Sequence, residues 1–152
     1  MNYQTMVSDL TGMDISNASL LDEPTSAAEA MMLAKRVAKS KSNTFFVNSK
    51  TFKQTIAIIK SRAKPLGVEI EIGDRPDKGK EYFAAYFQYP NAEGSIEDLE
   101  SVTKDIQAKG GLMIIGTDLL ALTLLKTPGD FGADIAVGSA CLLYTSPSPR
   151  DT

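Results

Sequence analysis

Tyr3, Met6, Val7 and Leu10 recur at i, i+3, i+4 and i+7, the stripe of an amphipathic helix, and Gly12 supplies its stop. After the short, extended segment ISNASLL, the spacing predicts a second helix from about Thr25 to Lys39. The period then changes. TFFVN (44–48) is strand-like and leads into a helix over about 53–63, which Pro65 and Gly67 stop. VEIEI (68–72) alternates strictly, and YFAAYFQ (82–88) is a nearly continuous apolar strand. A helix over about 96–109 is broken by Gly110 and Gly111, and LMIIGT (112–117) is the unbroken apolar run expected of a central parallel strand. LLALTLL predicts a short helix, KTPGDFG a loop and DIAVG (134–138) a last strand. Strands separated by helices predict an α/β fold with a mostly parallel sheet covered by helices on both faces.

Composition narrows the chemistry. The chain has 152 residues, enough for one domain with a real core. Apolar residues make up 43% and charged residues 23%, the balance of a globular protein, and a net charge of −3 gives no reason to expect nucleic acid as a partner. No apolar run approaches the ~20 residues needed to span a bilayer, so no membrane partner is expected. The first residues, MNYQTMVSDLTG, carry neither signal-peptide nor transit-peptide features, which leaves the compartment unmarked. Histidine is absent, which removes His-based nucleophile activation, proton shuttling and metal ligation. The single cysteine, Cys141, rules out an internal disulfide. Chemistry here falls to carboxylates, lysines, hydroxyls, helix termini or a borrowed cofactor.

Three stretches could carry such chemistry. DEPTSAAEA (22–30) places a proline in a first helical turn and reads as a capping box from Ser26 to Glu29. Free amides at a helix start can hold a phosphate, although Asp22 and Glu23 would repel one. GDRPDKGK (73–80) resembles a phosphate loop, but five residues separate Gly73 from Gly79 and Glu81 stands where a Mg²⁺-binding hydroxyl belongs, so an ordinary solvated loop is expected. Asp118 follows the apolar strand and so lies at the carboxyl end of a parallel strand, where α/β sheets bind ligands. A carboxylate there can pair with a protonated heterocycle nitrogen, or merely cap the turn that follows.

Taken together, NYQTMVSDLTGMDISNASLLDEPTSAAEAM, FQYPNAEGSIEDL and TDLLALTLLKTPGDFGADIAVGSA resemble the glycine dehydrogenase (decarboxylating) family, the P-proteins of the glycine cleavage system, from Asn2 to Ala140. The resemblance implies the large domain of the type I pyridoxal-phosphate fold. It also implies an enzyme that decarboxylates glycine through pyridoxal 5'-phosphate and passes the aminomethyl group to the lipoyl arm of H-protein. The match is to the N-terminal half of the P-protein; the Schiff-base lysine belongs to the C-terminal half, and no lysine follows Lys126 here. Thr25, Ser26 and Ala27 match the position where a catalytic half holds the cofactor phosphate, and Asp118 matches the carboxylate facing the pyridine nitrogen. Phe52 stands where many relatives carry a ring-stacking histidine, and Pro24 replaces a small residue. These positions are expected to be vestigial or interfacial rather than catalytic.

The resemblance implies as partners the C-terminal half (or a partner subunit) and lipoylated H-protein, and places the parent in the cytoplasm of a bacterium or the mitochondrial matrix of a eukaryote. Residues 1–140 are expected to form part of the large domain. Residues 141–152, CLLYTSPSPRDT, look like a translated sequencing adapter and are expected to be non-native. The fragment alone is expected to be inactive and to bind no cofactor. Two rivals remain: a fragment of another type I pyridoxal-phosphate enzyme, and a non-enzymatic flavodoxin-like binding module.

Overall fold

A computed structural model describes residues 2–17 and 19–141. Helix α1 spans Asn2–Thr11, α2 Glu23–Val37, α3 Lys53–Ala63 and α4 Glu100–Ala108. The strands are β1 (Thr44–Asn48), β2 (Glu69–Gly73), β3 (Ala84–Tyr89), β4 (Leu112–Asp118) and β5 (Ile135–Ser139). They form one five-stranded sheet in the order β2-β1-β3-β4-β5, every pairing parallel. The chain runs from β1 outward to β2, returns to β3, and then proceeds the other way to β4 and β5. Strand order therefore reverses between β1 and β3, the kind of crevice in which open α/β sheets bind ligands.

Hydrophobic pattern explains the layers. β1 and β3 are buried at every position, as their unbroken apolar runs require of strands covered on both sides. β2, the alternating VEIEI segment, lies at an edge and is only partly covered. On one face α2 presents Ala27, Ala30, Met31 and Ala34 at helical spacing against Phe45, Val47, Tyr86 and Ile114, joined by Ile59 and Ala63 of α3. On the other face Val102 and Ile106 of α4 pack on Phe46, Phe87, Met113 and Ile115, with Val7 and Leu10 of α1 alongside. The expected layers are thus present.

Two local readings shift. LLALTLL forms only a 3₁₀ turn, Ala121–Thr123, because only Leu119 and Leu122 are buried while Leu120 and Leu124 stay exposed. α4 begins at Glu100 rather than near 96, where the Asp98 carboxylate accepts the Glu100 amide at 3.0 Å. Gly12 does end α1, at φ 68°, a conformation that strains any residue with a Cβ. The expectation for the tail falls, from Leu142 onward, outside the described residues; Cys141 is exposed.

Candidate functional site

The start of α2 lies at the carboxyl edge of the sheet, where its first turn meets β3 and β4. Asp22 is extended (φ −158°, ψ 174°) and serves as the N-cap, with Pro24 in the first turn. Its carboxylate accepts the Thr25 amide at 2.8 Å. The Ser26 amide donates to the Asp22 carbonyl at 2.9 Å, and the Ser26 hydroxyl donates to the same oxygen at 2.7 Å. The capping box expected at Ser26 and Glu29 is therefore corrected: Ser26 already sits inside the first turn, because Asp22 caps the helix a full turn earlier. The bonds from Thr25 hold the Asp22 carboxyl below its usual range. Ala27 is buried against the sheet. Amides that a phosphate would need at Thr25 and Ser26 are already engaged.

Asp118 ends β4, paired in register with Ser139 of β5, and its side chain is exposed. It accepts the Leu120 amide at a long 3.4 Å, the weak capping contact of the following turn. Phe52 precedes α3 at the end of the β1 connection, is 40% exposed, and makes no side-chain cap. All the residues singled out from the sequence thus gather at the carboxyl edge, with Thr25, Ser26 and Ala27 on one helix turn, Asp118 at a strand end and Phe52 at the neighbouring helix start.

Sequence pattern does not reveal a chain of bonds that lies beside them. Glu23, the first residue of α2, accepts a hydrogen bond from Gln88 Nε2 at 3.0 Å, and Gln88 Oε1 accepts one from the Tyr86 hydroxyl at 2.9 Å. Burial raises the Glu23 carboxyl above its usual range; the Gln88 bond opposes this and the Asp118 charge adds to it. Tyr86 is fully buried, and burial, followed by the Glu23 charge, pushes its hydroxyl far up. Gly116 of β4 leaves the space that the Tyr86 hydroxyl and Gln88 fill; a Cβ there would collide with both. A glycine inside an apolar strand signals such an approach, though not its partner. Beside the start of α2 runs a groove of about 530 Å³, whose lining includes Leu20, Glu23, Ser26, Thr117 and Val137.

The 73–80 loop is occupied by its own bonds, as expected of a solvated loop. Asp77 N donates to the Tyr82 hydroxyl at 3.1 Å, Gly79 N to the Asp77 carboxylate at 2.7 Å, and Lys80 N to the Asp77 carbonyl at 3.1 Å. Among the described residues no group of three or more His, Cys, Asp or Glu side chains could hold a metal ion, and no helix is long and apolar enough to cross a membrane.

A glycine dehydrogenase (decarboxylating) from Rhodopseudomonas palustris (strain BisA53) is 52% identical over 141 residues, covering 91% of this chain and 15% of that protein. Another from Teredinibacter turnerae is 51% identical over 142 residues, with the same coverage of 91% and 15%. The chain therefore spans about 15% of the length of these relatives. A crystal structure of glycine decarboxylase (P-protein) of the glycine cleavage system, in inhibitor-bound form, superposes with a TM-score of 0.84 at 30% identity, over 99% of this chain and 35% of that one. Apo CalE6, a methionine gamma lyase from Micromonospora echinospora, superposes with a TM-score of 0.69 at 14% identity, over 91% of this chain and 38% of that one. At that identity the likeness extends to the fold, which is that of the type I pyridoxal-phosphate enzymes. The model of the glycine cleavage system P-protein matches residues 1–143, and the chain belongs to that family.

Proposed function

We propose that this chain is part of the half of a glycine decarboxylase that lacks the Schiff-base lysine, and that its carboxyl edge supports the active site of a lysine-bearing partner half. In the parent enzyme glycine is decarboxylated through pyridoxal 5'-phosphate, the cofactor serving as electron sink, and the aminomethyl group passes to the lipoyl arm of H-protein. The observation that carries this reading is the start of α2. At the positions matching a phosphate cradle, the Thr25 amide is taken by the Asp22 carboxylate and the Ser26 amide by the Asp22 carbonyl. Asp22 and Glu23 bring negative charge to the spot a phosphate would occupy, and Phe52 offers an exposed ring in place of a histidine. These residues do not fit the cofactor. Thr25, Ser26, Ala27, Phe52 and Asp118 are accordingly supporting or interfacial positions, and the fragment alone is inactive.

The test is a visible-absorbance titration of the purified chain with pyridoxal phosphate, followed by borohydride reduction and peptide mapping. Only scattered, substoichiometric labelling of surface lysines is expected. Stoichiometric labelling of one lysine, abolished by Asp118→Asn, overturns the proposal.

A further inference from the structure

We propose that Glu23 is the titrating part of an acid-tightened latch, which fixes the first turn of α2 to the carboxyl ends of β3 and β4 and loosens as the carboxyl ionises. The latch is a built chain of groups. Tyr86, seated over Gly116, donates to Gln88; Gln88 in turn donates to Glu23 at the head of α2. Gln88 turns its NH2 group to Glu23 and its oxygen to Tyr86, and an amide NH2 can accept nothing from Glu23.

The charged and titratable groups that face Glu23 can be named by element. β3 presents Tyr86 and Gln88, β4 presents Asp118, and the cap of α2 itself supplies Asp22. No lysine or arginine forms an ion pair with Glu23 or Asp118 among the described residues. An ionised Glu23 is therefore half-buried beside a second carboxylate, with one neutral donor to satisfy it. When protonated, it keeps the Gln88 bond, loses the repulsion and sheds the cost of burying charge.

The sign follows from linkage. The folded carboxyl lies above its ordinary value of 4.5, so the group is neutral for retention of the turn below that value and opposes it as pH rises through the folded value. Asp22 works in the other direction: its carboxyl lies below the ordinary 3.8, and its capping contribution is present above that value and lost as pH falls through the folded one. The first turn of α2 is firmest in the mildly acidic interval between these two titrations.

The experiment is hydrogen–deuterium exchange of the α2 first-turn amides at about pH 4.2, between the two ordinary values, and about pH 8, each corrected for the intrinsic exchange rate. It is run on the full chain, on Glu23→Gln and on Asp118→Asn. Expected is several-fold greater protection on the acid side in the parent chain. Glu23→Gln keeps an acceptor for Gln88, so it should be as protected at the alkaline pH as the parent is at the acid one. Asp118→Asn should shrink the pH step without abolishing it. Equal protection at both pH values in the parent chain, or a full step surviving in Glu23→Gln, overturns the latch.

Discussion

At the carboxyl edge of the sheet, α2 begins behind Asp22, whose carboxylate takes the Thr25 amide at 2.8 Å, while α3 begins behind Phe52 with no side-chain cap at all. The hydroxyls of Thr51 and Thr55, on either side of that second start, are buried without a hydrogen-bond partner. α2 has thus enclosed its own polar groups at its N-terminus and is linked onward to β3 through Glu23 and Gln88. α3 instead relies on packing, with Thr55, Ile59 and Ala63 turned into the core. The difference teaches that a helix start at the right edge of a sheet is not by itself a ligand site. Where the protein's own carboxylate occupies the cap, the anion-binding capacity of the helix terminus is already spent on the fold.

The largest expected effect comes from removing the space on which the α2 linkage rests. Gly116→Ala pushes a methyl group into the Tyr86 hydroxyl and the Gln88 amide. Overpacking of this kind should cost about 3 kcal/mol in denaturant unfolding. A loss below about 1 kcal/mol would mean that the Tyr86–Gln88–Glu23 chain yields easily and does not brace α2. A smaller effect, of opposite sign, is expected at α3. Thr55→Val keeps the shape and deletes a buried hydroxyl that bonds to nothing, so it should stabilise by about 1 kcal/mol in the same assay. Destabilisation there would show that the hydroxyl has a partner and that the two helix starts are more alike than they look. Least of all, Asp22→Ala should lower the thermal midpoint modestly at neutral pH, and Asp22→Ser should recover most of it, because serine can also cap. Phe52→Ser, by contrast, places a capping residue where none exists and should show no comparable loss from a missing cap. If Asp22→Ala proves silent at neutral pH, the contrast between the starts collapses.

The architecture was legible because the apolar runs at 44–48 and 112–117 admit few places except the middle of a parallel sheet. Boundaries were less so. Tyr82 and Phe83 are as buried as the strand they precede, yet the ladder begins at Ala84, opposite Phe45, and no pattern of burial distinguishes the two cases. At the site, the sequence marks Asp22 only as a charge that repels a phosphate. Its capping role is masked because Ser26 and Glu29 offer a better-known signature one turn later. The link from Glu23 to Gln88 spans 65 residues and joins a helix start to a strand end, which local periodicity does not encode. That Thr25, Ser26, Ala27 and Asp118 belong to one edge follows from parallel topology; a match to cofactor-pocket positions is implied by family resemblance alone.

The closure of the α2 start to anions is tested most directly by following the Thr25, Ser26 and Ala27 amide resonances while the chain is titrated with inorganic phosphate. No saturable shift is expected in the parent chain, because Asp22 holds the Thr25 amide and the Asp22 carbonyl holds that of Ser26. In Asp22→Ala the Thr25 amide is released and should begin to respond. A saturable shift of all three resonances in the parent chain, unchanged in Asp22→Ala, would contradict the claim that this half has given its phosphate cradle over to its own side chain.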